Sequence, residues 1–268
     1  MARARGKGRL GMQGRPARRG DHAIAFDRRP VRRRIGLVLL ATDHTTERDF
    51  ARICPRDGLG IYANRIVNEN PTTPENLRKM QPRLTAGAAL ILPGEPLDAI
   101  CYSCTSASAV IGDEAVAAAV REAKPGAPVV TPTGAARAGL EALGAARISI
   151  LTPYLPETGA PIAAYFQRHG VEVANQVNLG LADDREMARV TGTSIIAAAV
   201  ETFTPDADAL FISCTALRAA EVAEEIERRI GKPVVTSNQA SAWQTLRQAG
   251  IDAPITGHGR LLGLPGHE

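Results

Sequence analysis

An eight-residue segment occurs twice in this chain. Asp98-Ala-Ile-Cys-Tyr-Ser-Cys104-Thr matches Asp208-Ala-Leu-Phe-Ile-Ser-Cys214-Thr at five of eight positions, and a Pro-Val-Val-Thr segment follows each copy, at Pro128 and Pro233. The two cysteines are 110 residues apart and the two Pro-Val-Val-Thr segments 105 apart, so the register slips by only five residues. Two copies of one strand–Cys–Thr–helix–strand unit imply two similar α/β lobes. From residue 35 onward, short apolar runs alternate with helical patterns, as in parallel sheets covered on both faces. Strands are predicted at Ile35–Ala41, Gly60–Val67, Asp98–Ser103, Pro128–Thr131, Arg147–Leu151, Val171–Val177, Asp208–Ser213 and Pro233–Thr236. Helices are predicted from Thr73–Pro74 with a kink at Pro82, and over Asp113–Lys124, Pro156–His169, Ser194–Phe203, Leu217–Ile230 and Gln239–Ala249. The fold class expected is therefore α/β, with two pseudo-symmetric Rossmann-like lobes and a site in the cleft between them.

The 268 residues suffice for a substantial core without disulfides or structural metal. Residues 1–34 hold 11 Arg and one Lys against two Asp, a net of +10, which leaves −6 for the other 234 residues of a chain whose total is +4. The basic balance thus belongs to a segment rich in Arg and Gly without apolar periodicity, read as a disordered tail. The expected organisation is a tail over 1–34, a first lobe over 35–150, a second over 151–256 and a C-terminal tail over 257–268. One Trp, five Phe and four Tyr, scattered without a basic face, give no basis for nucleic-acid binding. No apolar run approaches a membrane span or a secretory signal, so a cytoplasmic protein is expected.

Four cysteines, Cys54, Cys101, Cys104 and Cys214, in a chain without an export signal are core residues or chemistry rather than disulfides. Cys101 and Cys104 form a C-x-x-C without the second pair a metal ribbon needs, and the five histidines make no metal-ligand spacing, so no metal is expected. The absence of a Gly-rich nucleotide loop, a P-loop and a persuasive Schiff-base lysine points to no organic cofactor.

In open parallel sheets the functional crevice lies at the carboxyl ends of the strands, where both Cys-Thr pairs fall. A cysteine between a strand end and a helix start lies near backbone N–H groups and the positive end of a helix dipole, which favour thiolate. A single such cysteine reads equally as a small buried hydrophobe; two in duplicated contexts are harder to explain by packing. Facing each other across a cleft, Cys104 and Cys214 could address opposite faces of one planar carbon. Thr105, Ser106, Thr215 and Ala216 offer hydroxyls and N–H groups to hold a carboxylate and its enediolate, or are simply helix caps. Tyr154, in Leu-Thr-Pro-Tyr, is a candidate donor or a packing residue. His44 binds substrate, tunes a thiol or is a surface histidine. The Asp183–Asp184–Arg185 loop reads as a candidate rim or a solvated charged turn.

These motifs resemble the aspartate/glutamate racemase superfamily, within it the maleate isomerase and arylmalonate decarboxylase branch. The stretches Ala41-Thr-Asp-His-Thr-Thr-Glu-Arg-Asp-Phe, Asn70-Pro-Thr-Thr-Pro-Glu-Asn-Leu-Arg-Lys-Met-Gln-Pro-Arg-Leu and Phe211-Ile-Ser-Cys-Thr-Ala-Leu-Arg-Ala-Ala-Glu-Val are most similar to the racemase-like A protein type of bacterial ectoine-utilisation clusters. The resemblance covers about residues 34–256. It implies a cofactor-independent enzyme, commonly a homodimer, acting at the carbon next to the carboxylate of a small acid or amino acid. By the resemblance, Cys104 and Cys214 are the reactive thiols, Thr105, Ser106, Thr215 and Ala216 the carboxylate holders, and Tyr154 a donor. Maleate isomerases usually place Asn where His44 stands, and arylmalonate decarboxylase lacks the first-lobe cysteine. The competing readings are a decarboxylase using Cys214 alone and a non-catalytic metabolite-binding protein.

Overall fold

The computed structural model describes residue 20 and residues 23–265. Eight strands form two four-stranded parallel sheets. The first contains β1 (Arg33–Leu40), β2 (Leu59–Ile66), β3 (Ala99–Tyr102) and β4 (Val129–Val130) in the order β2-β1-β3-β4. The second contains β5 (Arg147–Tyr154), β6 (Glu172–Leu181), β7 (Ala209–Ile212) and β8 (Val234–Thr236) in the equivalent order β6-β5-β7-β8. Each of the eight predicted strands is present. β3, β7 and nearly all of β1 are buried, which is why they read as unbroken apolar runs rather than alternating ones.

The repeat is structural as well as textual. Asp98 and Asp208 each stand before the third strand of a sheet, and each carboxylate accepts a backbone N–H from the start of the first strand: Arg34 N–H to Asp98 at 2.7 Å and Arg147 N–H to Asp208 at 2.9 Å. At the other end of the strand, Ser103 N–H donates to Val38 O at 2.9 Å and Ser213 N–H to Leu151 O at 2.8 Å. The threonines of the two Pro-Val-Val-Thr segments also share a task. Thr131 and Thr236 accept N–H bonds from Gly134 and Gln239 and so start helices at Pro132 and Ser237.

The helices are α1 (Thr46–Ile53), α2 (Pro74–Arg78), α3 (Leu84–Ala89), α4 (Thr105–Ile111), α5 (Asp113–Ala123), α6 (Pro132–Ala142), α7 (Pro156–Arg168), α8 (Asp184–Met187), α9 (Gly192–Thr202), α10 (Ala223–Ile230) and α11 (Ser237–Gln248). The chain breaks around Pro82, where a short 3-10 turn at Gln81–Arg83 separates α2 from α3. The helix expected over Leu217–Ile230 is divided into a 3-10 turn at Arg218–Glu221 and α10. In space the lobes interlock: α11, which follows the last strand of the second sheet, packs against α6, α1 and β3, and α7 packs against α4.

Three boundaries differ from the sequence reading, the first being that β5 of the second sheet begins at Arg147, inside the first lobe expected over 35–150. The first strand begins at Arg33, and the Arg34 guanidinium, only 5% exposed, pairs with Glu95, so these two residues belong to the body rather than to a tail over 1–34. Residues 23–30 form no helix or strand, whereas residues 1–19 and 21–22 of that tail lie outside the described residues. The C-terminal segment from 257 is not a free tail. Leu261 and Leu262 are fully buried, and the Glu227 carboxylate accepts the Arg260 N–H. Gly139 makes room for this return, since a Cβ there would lie 3.0 Å from Leu261 Cδ2. Residues 266–268 lie outside the described residues. Leu261→Ala is accordingly expected to cost about 2–4 kcal/mol in urea unfolding, the range for emptying a buried leucine site; a change under about 0.5 kcal/mol, as at a solvated tail, would contradict this packing.

Candidate active site

The turns that carry the two cysteines are tied together by hydrogen bonds across the lobes. Ser237 Oγ, at the start of α11, accepts the Thr105 hydroxyl at 2.8 Å and the Cys214 N–H at 3.0 Å. In return the Thr215 hydroxyl donates to Ser103 O at 3.2 Å, beside Cys104. Thr45 donates to Ala216 O at 2.8 Å, and Asn238 Nδ2 donates to Thr215 O at 2.9 Å and to the Asp49 carboxylate at 2.8 Å. All of these groups are buried, so each bond is worth about 1 kcal/mol, and an unpaired remnant would cost about 1–3 kcal/mol.

The thiols are not equivalent. Cys104 is extended, with φ −152°, and caps the N-terminus of α4; its Sγ shares a 3.6 Å hydrogen bond with Ser106 Oγ and faces the Ala107 N–H. Cys214 has φ +98°, a conformation that side chains rarely adopt. No helix follows it directly; instead the Ala216 and Leu217 N–H groups and the Tyr154 hydroxyl converge on its sulfur. Its S–H donates to Met187 Sδ at 3.8 Å.

Both thiols are pushed up to about 12, first by burial and then by the negative charge of Asp184. The expectation that helix-end N–H groups favour thiolate is thus reversed, because desolvation outweighs those donors. Tyr154 is buried and its ionisation is opposed by burial and then by both Cys214 and Cys104, so this phenol lies within electrostatic reach of both sulfurs. Asp184 opens α8. Its carboxylate accepts the Thr42 hydroxyl at 3.1 Å, Asn68 Nδ2 at 3.3 Å and the Thr72 hydroxyl at 3.3 Å, which draws the loops after β1, β2 and β6 to one point.

Of the residues singled out from sequence, Cys104, Thr105, Ser106, Tyr154, Cys214, Thr215 and Ala216 are brought together and buried. The Thr105 and Thr215 hydroxyls are committed to the inter-lobe bonds rather than to open space. His44 is exposed, whereas the neighbouring Asp43 turns inward and caps α1 through the Thr45 and Thr46 N–H groups, each at 2.8 Å. Asp184, read as part of a rim or solvated turn, is buried; the solvated member is Arg185, which turns back onto Asp183. Ser237 and Asn238, which directly follow the second Pro-Val-Val-Thr, are not singled out by any sequence signal of their own. Among the described residues, no cluster of three or more His, Cys, Asp or Glu side chains is arranged for a metal. Surface clefts lie elsewhere, one of about 500 Å³ between α6 and α11 beside Trp243 and Arg247, another beside Asp113 and Tyr165.

Two interlocked α/β lobes, each with a thiol at the carboxyl end of its third strand, define a cysteine-dependent enzyme of the isomerase type. The chain belongs to the arylmalonate decarboxylase family, whose sequence model matches residues 79–262. It is 29% identical to the maleate isomerase of Nocardia farcinica over 241 residues, 86% of this chain and 95% of that one. It is 35% identical to the arylmalonate decarboxylase of Bordetella bronchiseptica over 151 residues, 55% of this chain and 62% of the other. Among solved structures, a cysteine-to-serine variant of the Nocardia farcinica maleate cis-trans isomerase, with a covalently bound succinylcysteine intermediate, superposes with a TM-score of 0.79 at 27% identity, covering 86% of this chain and 98% of that one. No helix among the described residues is long and apolar enough to cross a membrane.

Two outcomes follow from this geometry. Ser237→Ala strands two buried donors and is expected to lower stability by about 1–3 kcal/mol in denaturant unfolding, against under about 0.5 kcal/mol if the lobes are held independently of it. At pH 7.5 thiolate is expected to be scarcer at Cys104 and Cys214 than in free cysteine, because burial and the Asp184 charge raise both thiols. Site-resolved iodoacetamide labelling should therefore keep rising through pH 9.5; a plateau near pH 8 would contradict the buried, neutral thiols.

Proposed function

We propose that this protein is a cofactor-independent racemase or isomerase that acts through Cys104 and Cys214 on the carbon next to the carboxylate of a small acid or amino acid. The observation that carries this reading is the joining of the two Cys-Thr turns in one buried site, through Ser237 to Thr105 and Cys214 and through Thr215 to Ser103. In a racemisation, one sulfur enters as thiolate and removes the proton from the substrate carbon, leaving an enediolate, while the opposite thiol delivers its own proton to the other face. In a cis-trans isomerisation, the thiolate instead forms a C–S bond to one alkene carbon and the opposite thiol protonates the other. Rotation follows about the resulting single bond, and loss of that proton expels the thiolate. The resting pair holds one proton too many for either route, so substrate binding must accompany its departure. Tyr154 and the N–H groups of Ala216 and Leu217 are placed to stabilise the anion on Cys214. Ser106 and the first-turn N–H groups of α4 are assigned to the substrate carboxylate, with Thr105 and Thr215 holding the turns that present them.

The similarity of residues 41–50, 70–84 and 211–222 to the ectoine-utilisation A type supports a place in ectoine or hydroxyectoine breakdown. A homodimer in the cytoplasm, with a basic tail ahead of two lobes, completes the proposal. A second reading, decarboxylation through Cys214 alone, draws support from the distinct backbone of Cys214 and from the arylmalonate decarboxylase relative.

Cys104→Ser and Cys214→Ser separate the two. Serine keeps the shape but cannot supply a thiolate, so each variant is expected to lose roughly three or more orders of magnitude in turnover, with KM changed far less. Deuterium incorporation from D2O at the carbon beside the carboxylate, followed by NMR, measures both. Full turnover in Cys104→Ser beside a dead Cys214→Ser would replace the two-thiol reading with the decarboxylase one.

A further inference from the structure

Asp184 is a buried carboxylate without a cationic partner of its own. It is 7% exposed and makes no salt bridge among the described residues. Its three hydrogen-bond partners, Thr42, Asn68 and Thr72, are all neutral, and all three donate to it. Arg185, the adjacent cation, is engaged with Asp183 through its Nε at 2.9 and 3.0 Å. Asp43, the nearby acid, is answered by the N–H groups of α1 and by the Thr46 hydroxyl at 2.6 Å. Burial raises the Asp184 carboxyl above its ordinary range and the Thr42 and Thr72 hydrogen bonds oppose that shift, and among the described residues no cation forms an ion pair with it. Buried charges are ordinarily paired, so a carboxylate kept unpaired at this place implies a partner that arrives from outside.

The place is the thiol site itself. α8 sets Asp184 at its first residue and Met187 at its last, and Met187 Sδ lies 3.8 Å from Cys214 Sγ. The charge of Asp184 is felt at both Cys104 and Cys214. Among the described residues no group of three or more His, Cys, Asp or Glu side chains gathers there to hold a metal ion.

We propose that Asp184 is the specificity-determining residue of the site and pairs with a cationic nitrogen on the substrate, which is therefore a small carboxylate that also carries an ammonium or comparable cation. This rests on the two-thiol reading above and narrows it. A dicarboxylate such as maleate would set its second negative charge against Asp184, whereas a zwitterionic amino acid would neutralise it. Neutralisation would also remove one of the influences that hold both thiols protonated, so the cation that is recognised would help to ready the sulfurs.

The test uses reagents of opposite charge on the full chain. Site-resolved mass spectrometry gives the rates at which Cys104 and Cys214 react with methanethiosulfonates bearing a trimethylammonium, a sulfonate or a neutral methyl group. The cation-to-anion rate ratio, divided by that of free cysteine, is expected to exceed about tenfold in the natural protein and to fall to within about threefold of unity in Asp184→Asn. A ratio near unity in the natural protein overturns the proposal, and that measurement decides alone should the variant not fold. A high ratio that Asp184→Asn leaves unchanged also overturns it. If the neutral reagent reaches neither thiol, the two-thiol reading falls and takes this proposal with it. The converse failure is separable, because a dispensable Cys104 in turnover assays leaves the charge ratio intact.

Discussion

The site depends on one serine hydroxyl. Ser237 Oγ receives the Thr105 hydroxyl from one lobe and the Cys214 N–H from the other, and the Thr215 hydroxyl closes the pair by reaching back to Ser103 O. Neither sheet alone can present two thiols to one carbon. A repeat gives the chain two equivalent strand ends, but only interlocking of the lobes turns two ends into one site. The interlocking follows from the path of the chain, since α11 leaves the second sheet and packs on β3 of the first, bringing Ser237 and Asn238 between the two Cys-Thr turns.

The same burial that fixes the sulfurs also silences them. Desolvation and the Asp184 charge keep both thiols neutral, although the Tyr154 hydroxyl and the Ala216 and Leu217 N–H groups favour the ionised Cys214. The donors lose that contest at rest because they act on a charge that has not yet formed. Buried and neutral, both thiols are also poor targets for oxidation.

Much of this was legible in the sequence. β1, β3 and β7 are buried almost throughout and leave continuous apolar runs, the edge strands β2 and β6 are only partly buried, and the strand-end position of Cys104 and Cys214 follows from the repeat. What escaped detection is instructive. α6 begins at a Pro and is rich in Ala and Gly, so its apolar period is weak, and α1 is only eight residues long with polar Thr46 and Asp49 among its buried positions. Asp184 lay in a charged triplet whose flanking Asp183 and Arg185 do face solvent, and local composition cannot tell which member turns inward. Leu261 and Leu262 form an apolar pair too short for a periodic signal, and Gly139, which receives them, is remote in sequence. Ser237 and Asn238 carry no motif of their own; their role comes from a crossing of the lobes that no local pattern encodes. His44 pointed to chemistry by residue type alone, and the inward position belongs to its neighbour Asp43.

The central claim is that Cys104 and Cys214 share one site. Treating the protein with 1,3-dibromoacetone, a small reagent that links two neighbouring thiols through a three-carbon bridge, and mapping the products by peptide mass spectrometry tests it most directly. A Cys104–Cys214 cross-link, absent in either serine variant, is the outcome this account requires. Separate single adducts on the two cysteines, with no bridged peptide pair, would contradict it.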